Sequence, residues 1–266
     1  LTAPCRPLDE YTLLCERCGY IIEGLPNDNP CPECNRPIAL SLPERRTGTP
    51  WQQRNAARTL VQTWWRTLRH PLLTFDTLRL YEIRGFGMVV HTIFLCSVVC
   101  WIFASILEIP TIDQPHFLLV PIVVYAVFAS ILGAAVFIVT DLSGHVLRVL
   151  WRRGERRITP DTGWHIIGVA SIGWVLTYAI WLAGWSTTKI WRIIDPPLSD
   201  YELRQRVGYE LFNIQLPSLV GGFAAGFTVF LAYALLGFHR IKYANRVSPP
   251  GQPPADPAAA APPAAH

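Results

Sequence analysis

Charge is scarce in this sequence, and lysine scarcer still. Of 266 residues, 16% are Asp, Glu, Lys or Arg, where a soluble domain carries about 25%. Lys189 and Lys242 are the two lysines among 23 basic residues. So little charge argues against a chain whose whole surface faces water. A net charge of +4 is too small to mark nucleic acid as the main partner. Catalytic signatures are also missing: there is no P-loop, HExxH or GxSxG, and no GxGxxG behind a strand. The expectation is a protein that is not an enzyme. Asp195-Pro196-Pro197 reads as a turn.

What the chain has instead is apolar length. Four stretches exceed the roughly 18 apolar residues that mark a membrane-spanning helix. They are "GFGMVVHTIFLCSVVCWIFASIL" (85–107), "FLLVPIVVYAVFASILGAAVFIVT" (117–140), "WHIIGVASIGWVLTYAIWLAGW" (164–185) and "LPSLVGGFAAGFTVFLAYALLGF" (216–238). In hydrocarbon every backbone amide must be paired within its own segment, so each stretch is expected to be a helix. The membrane domain is placed at 85–240. The expected fold class is an all-α polytopic membrane protein, with four transmembrane helices and a small N-terminal zinc ribbon.

The sparse charge is ordered along the chain. Eight arginines, Arg45 to Arg84, precede the first span, and the loop "EIPTIDQPH" behind it has no Lys or Arg. Arg148, Arg152, Arg153, Arg156 and Arg157 fill the next loop. The stretch 186–215 is mixed, and Arg240, Lys242 and Arg246 follow the last span. Positive charge accumulates on the cytoplasmic side, so both termini are expected there. Ahead of the spans, 51–84 is read as amphipathic juxtamembrane helix. Ala57, Leu60, Val61, Trp64, Leu68 and Leu72 form one face, lying on the headgroup layer or packed against the bundle, and Pro71 ends or kinks it. Residues 1–14 are read as a tail. The Pro/Ala-rich segment 247–266 has too little bulk to offset its ordering entropy, so disorder is expected there.

The most specific motif is "CERCGYIIEGLPNDNPCPEC", a C-x2-C pair, twelve residues and a second C-x2-C pair. A two-residue gap aims both thiolates of a pair at one metal, and Cys15, Cys18, Cys31 and Cys34 together satisfy tetrahedral zinc. Gly19 and Asn35, the residues that best tolerate a left-handed backbone, follow the pairs. "YII" reads as a short strand and "GLPNDNP" as its turn. Four protein ligands leave no open position, so one structural Zn2+ per chain is expected in a ribbon at 15–40; iron is the rival. Such a site belongs in a reducing compartment, which agrees with cytoplasmic termini.

The ribbon "CERCGYIIEGLP…CPECNRP" resembles the N-terminal ribbons of uncharacterised bacterial multi-spanning proteins, in which CxxCGY…GLP…CPxCG recurs; Asn35 stands in place of the last Gly. "TLRHPLLTF", clustered helices and the basic "HVLRVLWRRGERR" loop are similar to bacterial Yip-family membrane domains, which have five spans where four are counted here. The resemblance implies a non-enzymatic protein of the bacterial inner membrane, concerned with membrane organisation. It names no catalytic residue.

Weaker features remain. His91, Asp141 and His165, with His145 and His239, fall near the cytoplasmic ends of their spans and form a weak candidate polar cluster. Cys96 and Cys100 read as reduced, apolar side chains. Gly222 and Gly226, like Ala129 and Gly133, provide small surfaces for helix packing or dimerisation. The expected partners are the lipid bilayer and a protein partner or a second copy. Three functions fit: a membrane anchor displaying the ribbon for protein docking or membrane organisation, a transporter or channel regulated by it, and a membrane-tethered nucleic-acid binder. Span centres without Lys, Arg or Glu disfavour an ion path. The acidic ribbon, with Glu16, Glu23, Asp28 and Glu33 against Arg17 and Arg36, disfavours nucleic acid.

Overall fold

A computed structural model of the chain describes residues 12–80, 84–108, 119–152, 160–194 and 211–245. The 247–266 tail and the loop 195–210 lie outside these residues. Among the described residues β structure is limited to two single-pair bridges, Leu14 with Ile21 and Pro30 with Pro37. The strand expected at "YII" is therefore one bridge long.

Two 3-10 turns, Ile38–Ser41 and Pro43–Arg45, lead from the ribbon to three short helices: α1 (Pro50–Gln53), α2 (Ala57–Arg69) and α3 (Pro71–Thr77). Thr49 starts α1 with a reciprocal cap. Its hydroxyl accepts from Gln52 N at 3.3 Å, and the Gln52 carbonyl oxygen accepts from Thr49 N at 3.0 Å. Pro71 ends α2 and opens α3 at its first position, where its missing N–H costs nothing.

The face α2 buries is not the apolar stripe expected of it. Leu60, Thr63 and Thr67 point inward, while Val61, Trp65 and Leu68 are about half exposed. The threonines can be buried because each hydroxyl is satisfied inside its own helix, Thr63 on Thr59 O and Thr67 on Thr63 O, both at 2.8 Å. The helix packs on the bundle through one side, with Trp64 Nε1 donating to Thr92 Oγ1 at 3.4 Å, and leaves Val61, Trp65 and Leu68 on its outward side.

Among the described residues, four helical spans are long and apolar enough to cross a membrane: Gly85–Ile106, Ile122–Leu150, Asp161–Thr187 and Asn213–Arg240. They lie in α4 (Arg84–Glu108), α5 (Leu119–Arg152), the pair α6 (Pro160–Ala170) and α7 (Ile172–Ile194), and α8 (Leu216–Arg240), which a π-helical turn, Leu211–Gln215, precedes. The chain is a multi-pass membrane protein. The helix of the second span runs past its expected end at Thr140, carrying Asp141, His145 and Arg148 on the same helix. The third is divided at Ser171, whose hydroxyl donates to Gly168 O at 2.6 Å and lies 3.1 Å from the Thr92 hydroxyl; a serine that competes for helix carbonyls bends the helix there.

That third span is the centre of the bundle. In its most apolar window 67% of the residues are buried, against 33% or fewer in the others. The most extensive helix contact is α7 on α8, and glycine permits it. A Cβ on Gly173 would lie 2.5 Å from Gly226 O, and one on Gly222 would lie 3.0 Å from Thr177 O. Trp174, fully buried, stacks on Phe230 with centroids 5.4 Å apart.

Candidate metal centre

The ribbon is one structure used twice. In the first knuckle Gly19 N donates to Cys15 O, Cys15 N to Tyr20 O and Ile22 N to Leu13 O; in the second, Asn35 N donates to Cys31 O, Cys31 N to Arg36 O and Ile38 N to Asn29 O. Each turn closes through a left-handed residue, Gly19 at φ +82° and Asn35 at φ +59°. Asparagine tolerates that conformation better than other side chains do, which is why it can stand where the resembling ribbons have glycine. Ile22 and Ile38, equivalent in the two halves, are buried against the cysteines and are nearly all the core the module has.

The two knuckles bring four thiols together. Cys15 Sγ lies 3.5 Å from Cys34 Sγ and Cys18 Sγ 3.6 Å from Cys31 Sγ, and all four sulfurs fall within 4.8 Å of one another. A tetrahedron with metal–sulfur bonds of about 2.3 Å needs sulfurs about 3.8 Å apart, so the donor set is gathered closely enough to hold a metal ion. Burial opposes ionisation of Cys15, but the backbone amides of Cys18 and Arg17, and then the Cys34 and Cys18 thiols, outweigh it and bring the group down to about 7. Burial pushes Cys34 up and Cys18 up to about 12. One thiolate is therefore ready near neutrality, and the remaining protons leave as a cation binds.

The ribbon is bolted to the bundle. Asn245, just beyond α8 and buried, accepts from Leu14 N at 2.9 Å and donates to Leu14 O at 2.7 Å and Ser41 O at 2.6 Å. Tyr243 covers Gly19 so closely that a Cβ there would lie 2.9 Å from the ring. Arg46, 4% exposed, pairs with Glu16 at 2.9 Å and donates to the carbonyls of Phe75 and Leu78 at 3.2 and 3.0 Å. Burial raises the Glu16 carboxyl, with the Arg46 charge opposing that rise. The ribbon and the end of the last span thus share one end of the molecule.

The remaining candidates do not assemble. Among the described residues, the four cysteines are the one group of three or more His, Cys, Asp or Glu within reach of a shared ion. His91 is exposed, bonds Gly87 O through Nδ1 at 2.7 Å and lies 4.9 Å from the Trp51 ring. His165 is buried, with Nδ1 3.3 Å from Gln52 Nε2. Asp141 lines a small cleft with Gly144, His145, Arg148 and Trp164. His91, Asp141 and His165 occupy α4, α5 and α6 and meet different neighbours, so among the described residues they form no group that could share an ion. Gly222 and Gly226 face α7, and Gly133 faces Ser97 and Ile93 of α4 with Ala129 buried one turn before it, so both small surfaces pack within the chain. Cys96 and Cys100 are buried and unbridged.

Three residues that matter at this end were not singled out by sequence: Asn245, Arg46 and Gln52, which also bonds both backbone groups of Arg79. Arg46 was counted among positive flanking charges, and nothing in the motif separates it from exposed Arg45. No family model, curated protein or solved structure matches the chain, so the Yip resemblance rests on pattern alone.

Proposed function

We propose that this chain is a non-enzymatic integral membrane protein that holds a structural zinc ribbon rigidly at the cytoplasmic face, where the ribbon docks a protein partner. The observation that supports it most is the contrast between the ribbon's two sides. The inner side is fixed by Asn245 and Arg46, whereas Tyr20 and Ile21 are left 37% and 47% exposed, and Glu23, Asp28 and Glu33 of the same module are exposed too. Apolar anchors on an acidic module suit a partner with an apolar, basic surface. A fixed platform loses little entropy on binding, which favours affinity from a small contact. Zinc fits because thiolates select soft cations and the sphere is closed. The arginine asymmetry and the thiols support a cytoplasmic position, and the inner membrane of a bacterium is what the ribbon's resemblance implies.

The test is a photocrosslinker at Tyr20 in cells, with crosslinked protein identified by mass spectrometry. A single protein species crosslinked from Tyr20, and lost on Ile21→Glu while one zinc per chain is retained, is the expected result. Crosslinks to lipid alone would make the ribbon a cap on the bundle and overturn the docking role. A reporter enzyme fused after Asn245 should be active only if that end is cytoplasmic.

A further inference from the structure

A cavity of about 350 Å³ opens between the first knuckle, α3 and the end of α8, within the roughly 300–1,000 Å³ of ligand sites. Six cationic side chains line it: Arg17 and Arg36 from the ribbon, Arg45 and Arg46 from the segment behind it, and Arg240 and Lys242 from the end of the last span. Two carboxylates face them, and both are engaged. Glu16 pairs with Arg46 at 2.9 Å and Asp76 with Arg240 at 2.7 Å. Among the described residues, Arg17, Arg36, Arg45 and Lys242 have no carboxylate within ion-pair distance. Four like charges around one hollow repel one another unless an anion occupies it.

The walls say which kind of anion. Leu40, Leu42 and Leu73 line the same cavity. Leu73 belongs to an outward apolar surface with Leu72, and both are about half exposed. The pocket is also built partly from Arg240, which ends a membrane-competent span, and from Lys242 just beyond it. A freely soluble anion needs only the cations; a cavity lined by both cations and leucines fits an amphiphile.

We propose that this pocket binds the phosphate headgroup of an anionic phospholipid. Arg17, Arg36, Arg45 and Lys242 engage the phosphate, guanidinium forks matching its oxygens, and the acyl chains leave along Leu73 and Leu72. The lipid then touches ribbon and last span together, and so joins them.

The test uses the full zinc-loaded chain in an uncharged detergent, titrated calorimetrically with short-chain phosphatidylglycerol, short-chain phosphatidylcholine and inorganic phosphate. Phosphatidylglycerol should bind at least about tenfold more tightly than phosphatidylcholine, whose choline cation opposes the arginines, and than inorganic phosphate, which has no acyl chain to lie against the leucines. Arg17→Gln/Arg36→Gln/Lys242→Gln should weaken it by about tenfold or more, and Arg45→Gln alone, which guards against misfolding of the triple variant, by about threefold. Arg58→Gln/Arg69→Gln, on α2 and outside the pocket, should leave it unchanged. Equal loss in the α2 variant would reduce the effect to diffuse surface charge and overturn the proposal. Phosphate binding as tightly as phosphatidylglycerol would assign the pocket to a soluble anion and overturn the lipid. Neither outcome bears on protein docking at Tyr20.

Discussion

The ribbon end and the membrane bundle are held together by opposite means. The ribbon has two buried isoleucines and four cysteines for a core, too little apolar surface for a stable unit in water. Directional interactions fix it instead: four thiols gathered where a metal ion could bind them, Asn245 on Leu14 and Ser41, Arg46 on Glu16 and two carbonyls. The bundle is almost entirely apolar, but in lipid that apolarity does not drive helices together. Shape does so, as in the glycine contacts of α7 and α8. One region is sensitive to the loss of a ligand or a bond, the other to the gain of a methyl group.

The largest expected effect tests whether the two regions are independent. Cys31→Ser/Cys34→Ser should remove the metal, with a loss on the order of 10 kcal/mol of ribbon folding free energy. Metal analysis should fall from one zinc per chain to none. Hydrogen exchange should rise across 12–42 and also across 241–245, because Asn245 loses its partners, while α4 to α8 stay protected. Loss of protection in the spans would show that the bundle depends on the ribbon.

The converse change is Gly226→Leu, which drives a side chain into Thr177 and the Gly173 carbonyl. Overpacking there should cost about 3 kcal/mol or more, read as a lower midpoint of unfolding in mixed micelles. Zinc content should remain at one per chain. Zinc lost in parallel would mean that the bundle holds the ribbon together rather than merely receiving it.

An intermediate effect belongs to the joint. Asn245→Ala strands Leu14 N, Leu14 O and Ser41 O in a buried position, costing about 2 kcal/mol. Both modules should stay folded. The ribbon should release zinc to a chelator roughly 30-fold faster if undocking precedes metal loss. An unchanged release rate would show that the docked ribbon already exposes its metal.

Much of this division was legible in the sequence because each region rests on a rule with a short range. The four spans follow from apolar run length, and the thiol cluster follows from C-x2-C spacing with Gly19 and Asn35 behind it. The joint was not legible. Asn245 lies more than 200 residues from Leu14, and a side-chain amide that bonds a distant backbone leaves no periodicity to read. The inward face of α2 was misread for a related reason: Thr63 and Thr67 look polar in one dimension, but bonded within their own helix they pack as small β-branched side chains. Nearness to the same membrane edge does not determine which way a helix turns its residues, so whether His91, Asp141 and His165 meet could not be read from the sequence.

The smallest effect sharpens the comparison at its boundary. Asp76 and Arg240 form a two-pronged pair between α3 and the end of α8, at 2.7 and 2.9 Å, but both side chains are more than 40% exposed. Solvent screens such a pair, so Asp76→Asn should shift the unfolding midpoint by no more than about 0.5 kcal/mol. The pair's charge matters more to its neighbours than to the fold. Removing the carboxylate leaves the adjoining cavity with one anion fewer and frees Arg240 to join the other cations, so phosphatidylglycerol affinity should rise by about threefold. A stability loss of about 2 kcal/mol, with no gain in lipid affinity, would instead make the pair a structural strut and group it with Asn245 and Arg46.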